Sequence, residues 1–347
     1  MVKFFSGGLG DRVTFFVLLS CTTLNDDAER IEEFTIVYTS IKKFDTKIKA
    51  HKHRKVYAMM YNVKMKNLLV FVVFALPVFV FAHGGEVKIT PTTVFQGEPF
   101  MAIVEGVDIR DIKKFSFAGK TISLFIYNKK PTALVGVDLT ARVGNHTLSA
   151  QTLDGDVIKK EVTVKARKKE SAPLGIPEKL GGNTKTSQNK LVSNLSKENV
   201  ILSRVKVTAS AFWKKPFMFP LASTTVTDGY GYSRKTGSYS IPHKGTDFRA
   251  PLGTTVTAIN DGVVRLARDF TVYGKTVAID HGGGVMSFSM HLSKLAVKEG
   301  QKVARGQKIG ASGESGYSLT PHLHLSIRLH GISIDHMKFF ALFNVRV

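Results

Sequence analysis

From His322 onward, the stretch Pro321-His322-Leu323-His324-Leu325-Ser326-Ile327 alternates polar with apolar side chains. Residues i and i+2 of an extended strand share a face, so His322 and His324 project to one side while Leu323, Leu325 and Ile327 project to the other. The strand can thus offer two imidazoles to a site and anchor itself in a core. About eighty residues upstream, Ile241-Pro242-His243-Lys244-Gly245-Thr246-Asp247-Phe248 supplies a His-x-x-x-Asp. An Asp four residues beyond a His, across a glycine, can bend back so that both side chains meet one ion. Two imidazoles and a carboxylate are the usual protein half of a catalytic zinc site, with the fourth position left to water. The spare histidine of the pair and another from elsewhere would then handle protons, and His291 in Ser289-Met290-His291-Leu292-Ser293 is the candidate. No His-Glu-x-x-His occurs, which removes the helical zinc-protease arrangement.

The histidines are unevenly spread. Seven of eleven (His243, His281, His291, His322, His324, His330, His336) fall in the last 105 residues. Of these, His281 in Asp280-His281-Gly282-Gly283-Gly284 reads as a turn residue before a hairpin, and His330 and His336 read as loop residues. His83 and His146 read as lying outside the domain with the chemistry.

The whole chain has 347 residues, 43% hydrophobic and 22% charged, with one cysteine and a formal charge of +22. That length suggests two domains with real cores, at roughly 100–200 residues each, and excludes a disordered chain. One cysteine excludes an internal disulfide framework. Only one apolar run, the 14 residues Leu68 to Phe81, approaches membrane length, which excludes a polytopic membrane protein. That run follows Lys64 and Lys66 and ends at Ala82, the pattern of a secretory signal peptide with cleavage after Ala82. The signal would occupy residues 65–82, with translation starting at Met65 or Met59 and residues 1–64 a non-native upstream extension. An uncleaved membrane anchor at 68–82 and a lipoprotein signal ending at Cys21 are the alternatives. Each version exports the chain to the periplasm or cell envelope.

Residues 1–82 hold 12 basic and 7 acidic residues, so the remainder keeps 37 against 20, a charge of +17 without cysteine. A metal site there must be built from His, Asp or Glu. An exported basic chain lacking any helix-turn-helix, zinc-finger or RNA-binding signature is read as having no nucleic-acid partner; anionic envelope polymers are the expected one. The reading is of a monomer.

From Gly85 to about Lys165, period-two runs such as Thr121-Ile122-Ser123-Leu124-Phe125-Ile126 and Glu161-Val162-Thr163-Val164 alternate with turn signals. This predicts a small Ig-like β-sandwich over 83–166. Residues 167–210, opening on the basic run Arg167-Lys168-Lys169, which reads as solvated, form a tether with a helix around Gln188–Arg204. Residues 211–347 form the histidine-rich domain. The fold class is mainly β: a sandwich, a tether and a histidine-rich domain that a family resemblance implies to be an antiparallel β catalytic domain with an open groove.

Residues 217–339 resemble peptidase family M23, the lysostaphin and LytM type of zinc metallopeptidase. The matching features are Gly-Tyr-Gly-Tyr-Ser-Arg at 229–234, His-x-Gly-x-Asp-Phe at 243–248, and Ala250-Pro251 followed by Gly253-Thr254. Gly262-Val263-Val264, Tyr273-Gly274-Lys275-Thr276-Val277, His291-Leu292-Ser293, the paired Gly-Gln turns at 300–307 and Pro321-His322-Leu323-His324 follow in order. The resemblance implies one Zn2+ held by His243, Asp247 and His324, with His291 and His322 as catalytic histidines. It departs from the family at Ser289, where Tyr is common, at Thr320 in place of Gly, and at Ser326, where Glu is common.

What the resemblance implies is hydrolysis of peptide bonds in peptidoglycan stems or cross-links, with zinc as Lewis acid. His322 would move the water proton and His291 would hydrogen-bond the oxyanion, a division the sequence leaves open. D-alanyl to diaminopimelate is the expected bond, glycine bridges the alternative. A non-catalytic LytM-type activator is the rival reading; such domains usually lack a zinc ligand, and all five positions are intact here. A second rival rests on Val297–Gly310, which resembles the turn repeat of biotinyl and lipoyl domains. The hairpin at Asp280–Gly284 lacks the lysine those domains modify.

Overall fold

The computed structural model describes residues 85–168 and 170–344 and, as strand backbone, Ser6–Gly8, Val13–Thr23, Arg30–Val37, Met59–Met65 and Leu68–Phe74. The chain divides into two compact units, Met1–Val80 and Phe81–Val347. In the first, Val13–Thr23 pairs antiparallel with Ser6–Gly8 and with Arg30–Val37, and Met59–Met65 pairs with Leu68–Phe74. The cleavage position after Ala82, and His83, lie outside the described residues. Among the described residues no helix is long and apolar enough to cross a membrane.

The second unit is mainly β. Its first part is a sandwich of two sheets. One is ordered Lys120–Thr121, Ile112–Phe117, Gly144–Thr152, Val157–Lys165, Thr93–Phe95; the other is Phe125–Tyr127, Lys130–Gly136, Pro99–Glu105, Glu86–Thr90. The alternation read from the sequence is carried through: Val162 and Val164 point inward with Phe100, Phe115, Leu148 and Ala150, all at most 2% exposed. Burial of one face of each sheet fixes the strand register, because a one-residue slip would turn every apolar side chain to water.

The second part is built on a large antiparallel sheet. Its order is Val226–Asp228, Thr246–Arg249, His322–Leu329, Val285–Leu292, Gly274–Gly282, Gly262–Phe270, Lys302–Val303, with Ile332–Ile334 paired to His322–Leu329. Leu323, Leu325, Ile327 and Leu329 are fully buried in a core with Phe248, Phe217, Phe339 and Phe340. The sandwich joins this core through Phe125 and Leu134. Trp213 knits the two parts, its ring 5.2 Å from Phe125, 4.8 Å from Phe217 and 5.6 Å from Phe343.

The connecting segment is more than a spacer. Helix α1, Lys185–Ser203, covers the expected helix, and Thr184 caps it by accepting from the Ser187 amide. Arg167, expected to be solvated, instead pairs with Asp335 at 2.6 Å and stacks over Tyr230. Ser171–Pro173 pairs with Ser233–Thr236. Buried Glu198 accepts from the amides of Val272 (2.9 Å) and Tyr273 (3.1 Å). Glu198→Ala would leave those amides without an acceptor, and we expect a loss of about 1–3 kcal/mol per stranded donor. Urea unfolding of the two chains checks this; an unchanged midpoint would show that the contact contributes nothing.

Two histidine expectations are corrected. His281 is not a turn residue: it is the penultimate residue of the strand Gly274–Gly282, fully buried, with Nδ1 2.9 Å from the Asp261 carbonyl and Nε2 2.8 Å from Ser287 Oγ. Apolar packing from Phe217 closes over it. His336 is not in a peripheral loop. It opens helix α2, His336–Ala341, fully buried, with Nδ1 2.8 Å from Thr246 Oγ1. His330 does sit at a hairpin turn, with φ of 49°, and His146 lies in the sandwich strand Gly144–Thr152.

Candidate metal centre and catalytic groove

The strand His322–Leu329 lies between Thr246–Arg249 and Val285–Leu292, and its register places Asp247 directly across from His324 on one side and Met290 on the other. Cross-strand partners of this kind bring side chains to ~5 Å, so sheet pairing alone delivers the carboxylate to the imidazole. His243 reaches the same point from the turn before Thr246. Its Nε2 lies 3.2 Å from Asp247 Oδ1 and 3.1 Å from His324 Nδ1, while His324 Nδ1 lies 2.7 Å from Asp247 Oδ1. One ligand atom from each of the three residues lies within 4.8 Å of the others.

Gly245 makes that approach possible: a Cβ there would fall 2.1 Å from His324 Nε2. The glycine inside the His-x-x-x-Asp is thus a steric requirement of the imidazole beside it.

Hydrogen bonds orient the rings. His243 Nδ1–H donates to the Gly229 carbonyl at 2.7 Å, so its Nε2 presents a lone pair to the cluster. Asp247 turns Oδ1 to the histidines and Oδ2 to the Arg234 guanidinium, which also holds Asp228 through Nε at 2.9 Å. Burial alone would raise the Asp247 carboxyl; His324 and His243 beside it hold it well below the usual carboxylate range. Burial pushes His324 down to about 4, against the pull of Asp247. At neutral pH Asp247 is therefore a carboxylate and His324 a neutral imidazole, the protonation states a metal requires.

The donor set fits zinc. Donors about 2.0–2.1 Å from a tetrahedral zinc stand roughly 3.3 Å apart, close to the spacings seen among the three residues. Arg234, not singled out from the sequence beyond its place at the end of Gly-Tyr-Gly-Tyr-Ser-Arg, orients the carboxylate from behind. Arg234→Gln is expected to weaken zinc affinity by about 10–100-fold, and Arg234→Lys to recover part of it. Competition against a chromogenic chelator measures this, and unchanged affinity would refute it.

His291 and His322 stand beside the cluster. Their rings are 5.0 Å apart by centroid, with His291 5.9 Å from His324. His322 Nε2 lies 3.8 Å from Asp247 Oδ1. His291 Nδ1–H donates to the Ser315 carbonyl at 2.8 Å, and His322 Nδ1–H to the Thr320 carbonyl at 2.8 Å. Both rings thus turn Nε2 away from these carbonyls. The Thr320 departure costs nothing here, because the partner is a backbone oxygen any residue supplies. His291 sits at φ 58°, a left-handed conformation uncommon outside glycine, at the end of its strand. Burial, helped by His324 and His322, pushes its imidazole down to about 3. Ser326, in place of the common Glu, donates to the Lys244 carbonyl at 2.9 Å and so ties the central strand to the loop that carries His243. Ser289 is buried in the strand Val285–Leu292.

A cavity of about 430 Å³ is lined by His243, His291 and His324. Helix α1 forms one wall with Leu191, Leu195, Asn199 and Ser203, which recur every four residues along one face. The groove read from the sequence as open is therefore partly roofed by the connecting segment.

Part of the chain is similar to known proteins. The model of peptidase family M23 matches residues 241–336. Over 97 residues the chain is 47% identical to the peptidoglycan DD-endopeptidase ShyA of Vibrio cholerae, covering 28% of this chain and 23% of ShyA. Over 117 residues it is 37% identical to the DD-carboxypeptidase/endopeptidase Mpg of Neisseria meningitidis, covering 33% of this chain and 27% of Mpg. The matched region thus spans about a quarter of each of these relatives. In fold, the chain is similar to a crystal structure from Pseudomonas aeruginosa assigned to peptidase M23. The TM-score is 0.53 at 24% identity, over 72% of this chain and 96% of that one. Residues 241–336, with the His-Asp-His cluster on their sheet, are accordingly a peptidase family M23 domain.

Proposed function

We propose that this protein is a zinc metalloendopeptidase that hydrolyses peptide bonds in the stems or cross-links of peptidoglycan, working in the bacterial cell envelope. The observation that carries the reading is the convergence of His243, Asp247 and His324 on one point, with the imidazoles of His291 and His322 beside it. In this reading those three residues hold zinc, and His291 and His322 are catalytic. The names of ShyA and Mpg favour bonds made to or by D-amino acids, and D-alanyl to diaminopimelate is the bond we propose.

The chemistry that zinc supplies in a three-donor site is Lewis acidity toward water and toward a carbonyl oxygen. His322, with Nδ1 committed to Thr320, offers Nε2 as the base that takes a proton from the attacking water and returns it to the leaving amine. His291, with Nδ1 committed to Ser315, gains an Nε2 proton to donate to the oxyanion only as an imidazolium. Its burial opposes that charge in the resting state, and developing negative charge on the substrate favours it. The net charge of +17 on the chain after residue 82 would hold the enzyme near anionic polymers and make association salt-sensitive.

Digestion of purified peptidoglycan by the full chain, with mass analysis of the soluble fragments, tests the proposal. Release of peptide fragments ending at D-alanine supports it. Products cut only in the glycan, or no release at all, would overturn it.

A further inference from the structure

We infer that Arg328 forms a carboxylate-binding subsite in the groove, which selects substrate peptides carrying a free carboxylate some distance from the bond that is cut. This rests on the hydrolase reading for what the ligand is, though not for whether the subsite exists. His322, His324, Ser326 and Arg328 alternate along one strand, so all four side chains share a face while Leu323, Leu325, Ile327 and Leu329 fill the core behind. His243, His291, His324 and Arg328 line the same cavity. At ~3.3 Å per residue the Arg328 backbone lies about 13 Å along the strand from His324, a span of about four extended peptide residues.

Three cationic side chains line that cavity: Arg234, Lys244 and Arg328. Arg234 is taken up by Asp228 and Asp247, and Lys244 is exposed to solvent. Arg328 is different. Its guanidinium lies 4.6 Å over the Phe288 ring and gives one hydrogen bond, from Nη1 to the Leu202 carbonyl at 3.2 Å. Its Nε is buried and has no hydrogen-bond partner, and among the described residues no carboxylate pairs with it. An acid at 326, two positions earlier on the same face, would neutralise it, and serine stands there.

Burying a guanidinium without an anion is unfavourable unless something else supplies the charge. A planar fork of donors matches a carboxylate in bidentate fashion and has little use for a neutral amide. Peptidoglycan stem peptides supply carboxylates at chain ends and on diaminopimelate. The unpaired cation on the catalytic face is thus suited to reading them.

The test uses a cross-linked stem-peptide dimer with free carboxylates and the same dimer amidated throughout. Affinities of both for the full chain are measured with chelator present to prevent turnover, and kcat/KM with zinc restored. We expect the wild type to bind the free-acid dimer about tenfold or more tightly, Arg328→Gln to lose that preference, and Arg328→Lys to keep part of it. A merely structural arginine would weaken both dimers alike and leave their ratio unchanged. Equal binding or no binding by the wild type overturns the subsite, as does a preference that survives Arg328→Gln. Should Arg328→Gln fail to fold, the wild-type ratio and Arg328→Lys decide the matter. A carboxylate preference in binding without cleavage of either dimer would retain the subsite and reject the hydrolase reading.

Discussion

Replacing His324 by alanine is expected to cost the protein its zinc and, with it, a rate factor on the order of a thousandfold or more. His324 occupies the centre of the cluster: Nδ1 is within 3.1 Å of His243 Nε2 and 2.7 Å of Asp247 Oδ1, and its strand is flanked on both sides by site-bearing strands. Without it two donors remain, too few to hold a structural or catalytic zinc firmly. The opposite face of the strand keeps Leu323, Leu325 and Ile327 in the core, so the variant should fold. Zinc content after dialysis and peptide release from peptidoglycan are read on one preparation. Retention of both would contradict the ligand assignment; loss of zinc with undiminished release would contradict a zinc-dependent reaction.

The second large effect separates binding metal from using it. His322→Ala and His291→Ala should each keep near-stoichiometric zinc and lose about 10²–10⁴ in rate, the usual contribution of a positioned proton-transfer group. Their Nδ1 atoms are held by the Thr320 and Ser315 carbonyls rather than turned to the Asp247 carboxylate. A variant of either that lost zinc as His324→Ala does would move that histidine into the ligand set. One that kept full activity would remove it from the mechanism.

The sandwich and the His-x-His strand were legible because strands have a period of two. The metal cluster was legible because its donors sit in two local motifs whose geometry is set within five residues or fewer. What stayed hidden is what depends on distant pairing. The role of Arg234 depends on a hairpin that carries it to both Asp228 and Asp247. The carbonyls of Gly229, Thr320 and Ser315 that fix the rings have no side-chain signature at all. Burial of His281 and His336 comes from Phe217, Tyr230 and the packed sheet around them, contacts between residues far apart in sequence. The tether looked solvated because its Lys, Ser and Asn content is polar, whereas Glu198 finds its partners in the amides of Val272 and Tyr273, more than seventy residues away.

In the proposed function, His243, Asp247 and His324 hold one zinc ion on which hydrolysis depends. Wild-type protein stripped with a chelator, then titrated with zinc while peptide release from peptidoglycan is followed, tests it most directly. The stripped protein is expected to release nothing, with recovery that rises linearly and saturates at one zinc per chain. Full activity in stripped protein shown by elemental analysis to contain no metal would contradict it.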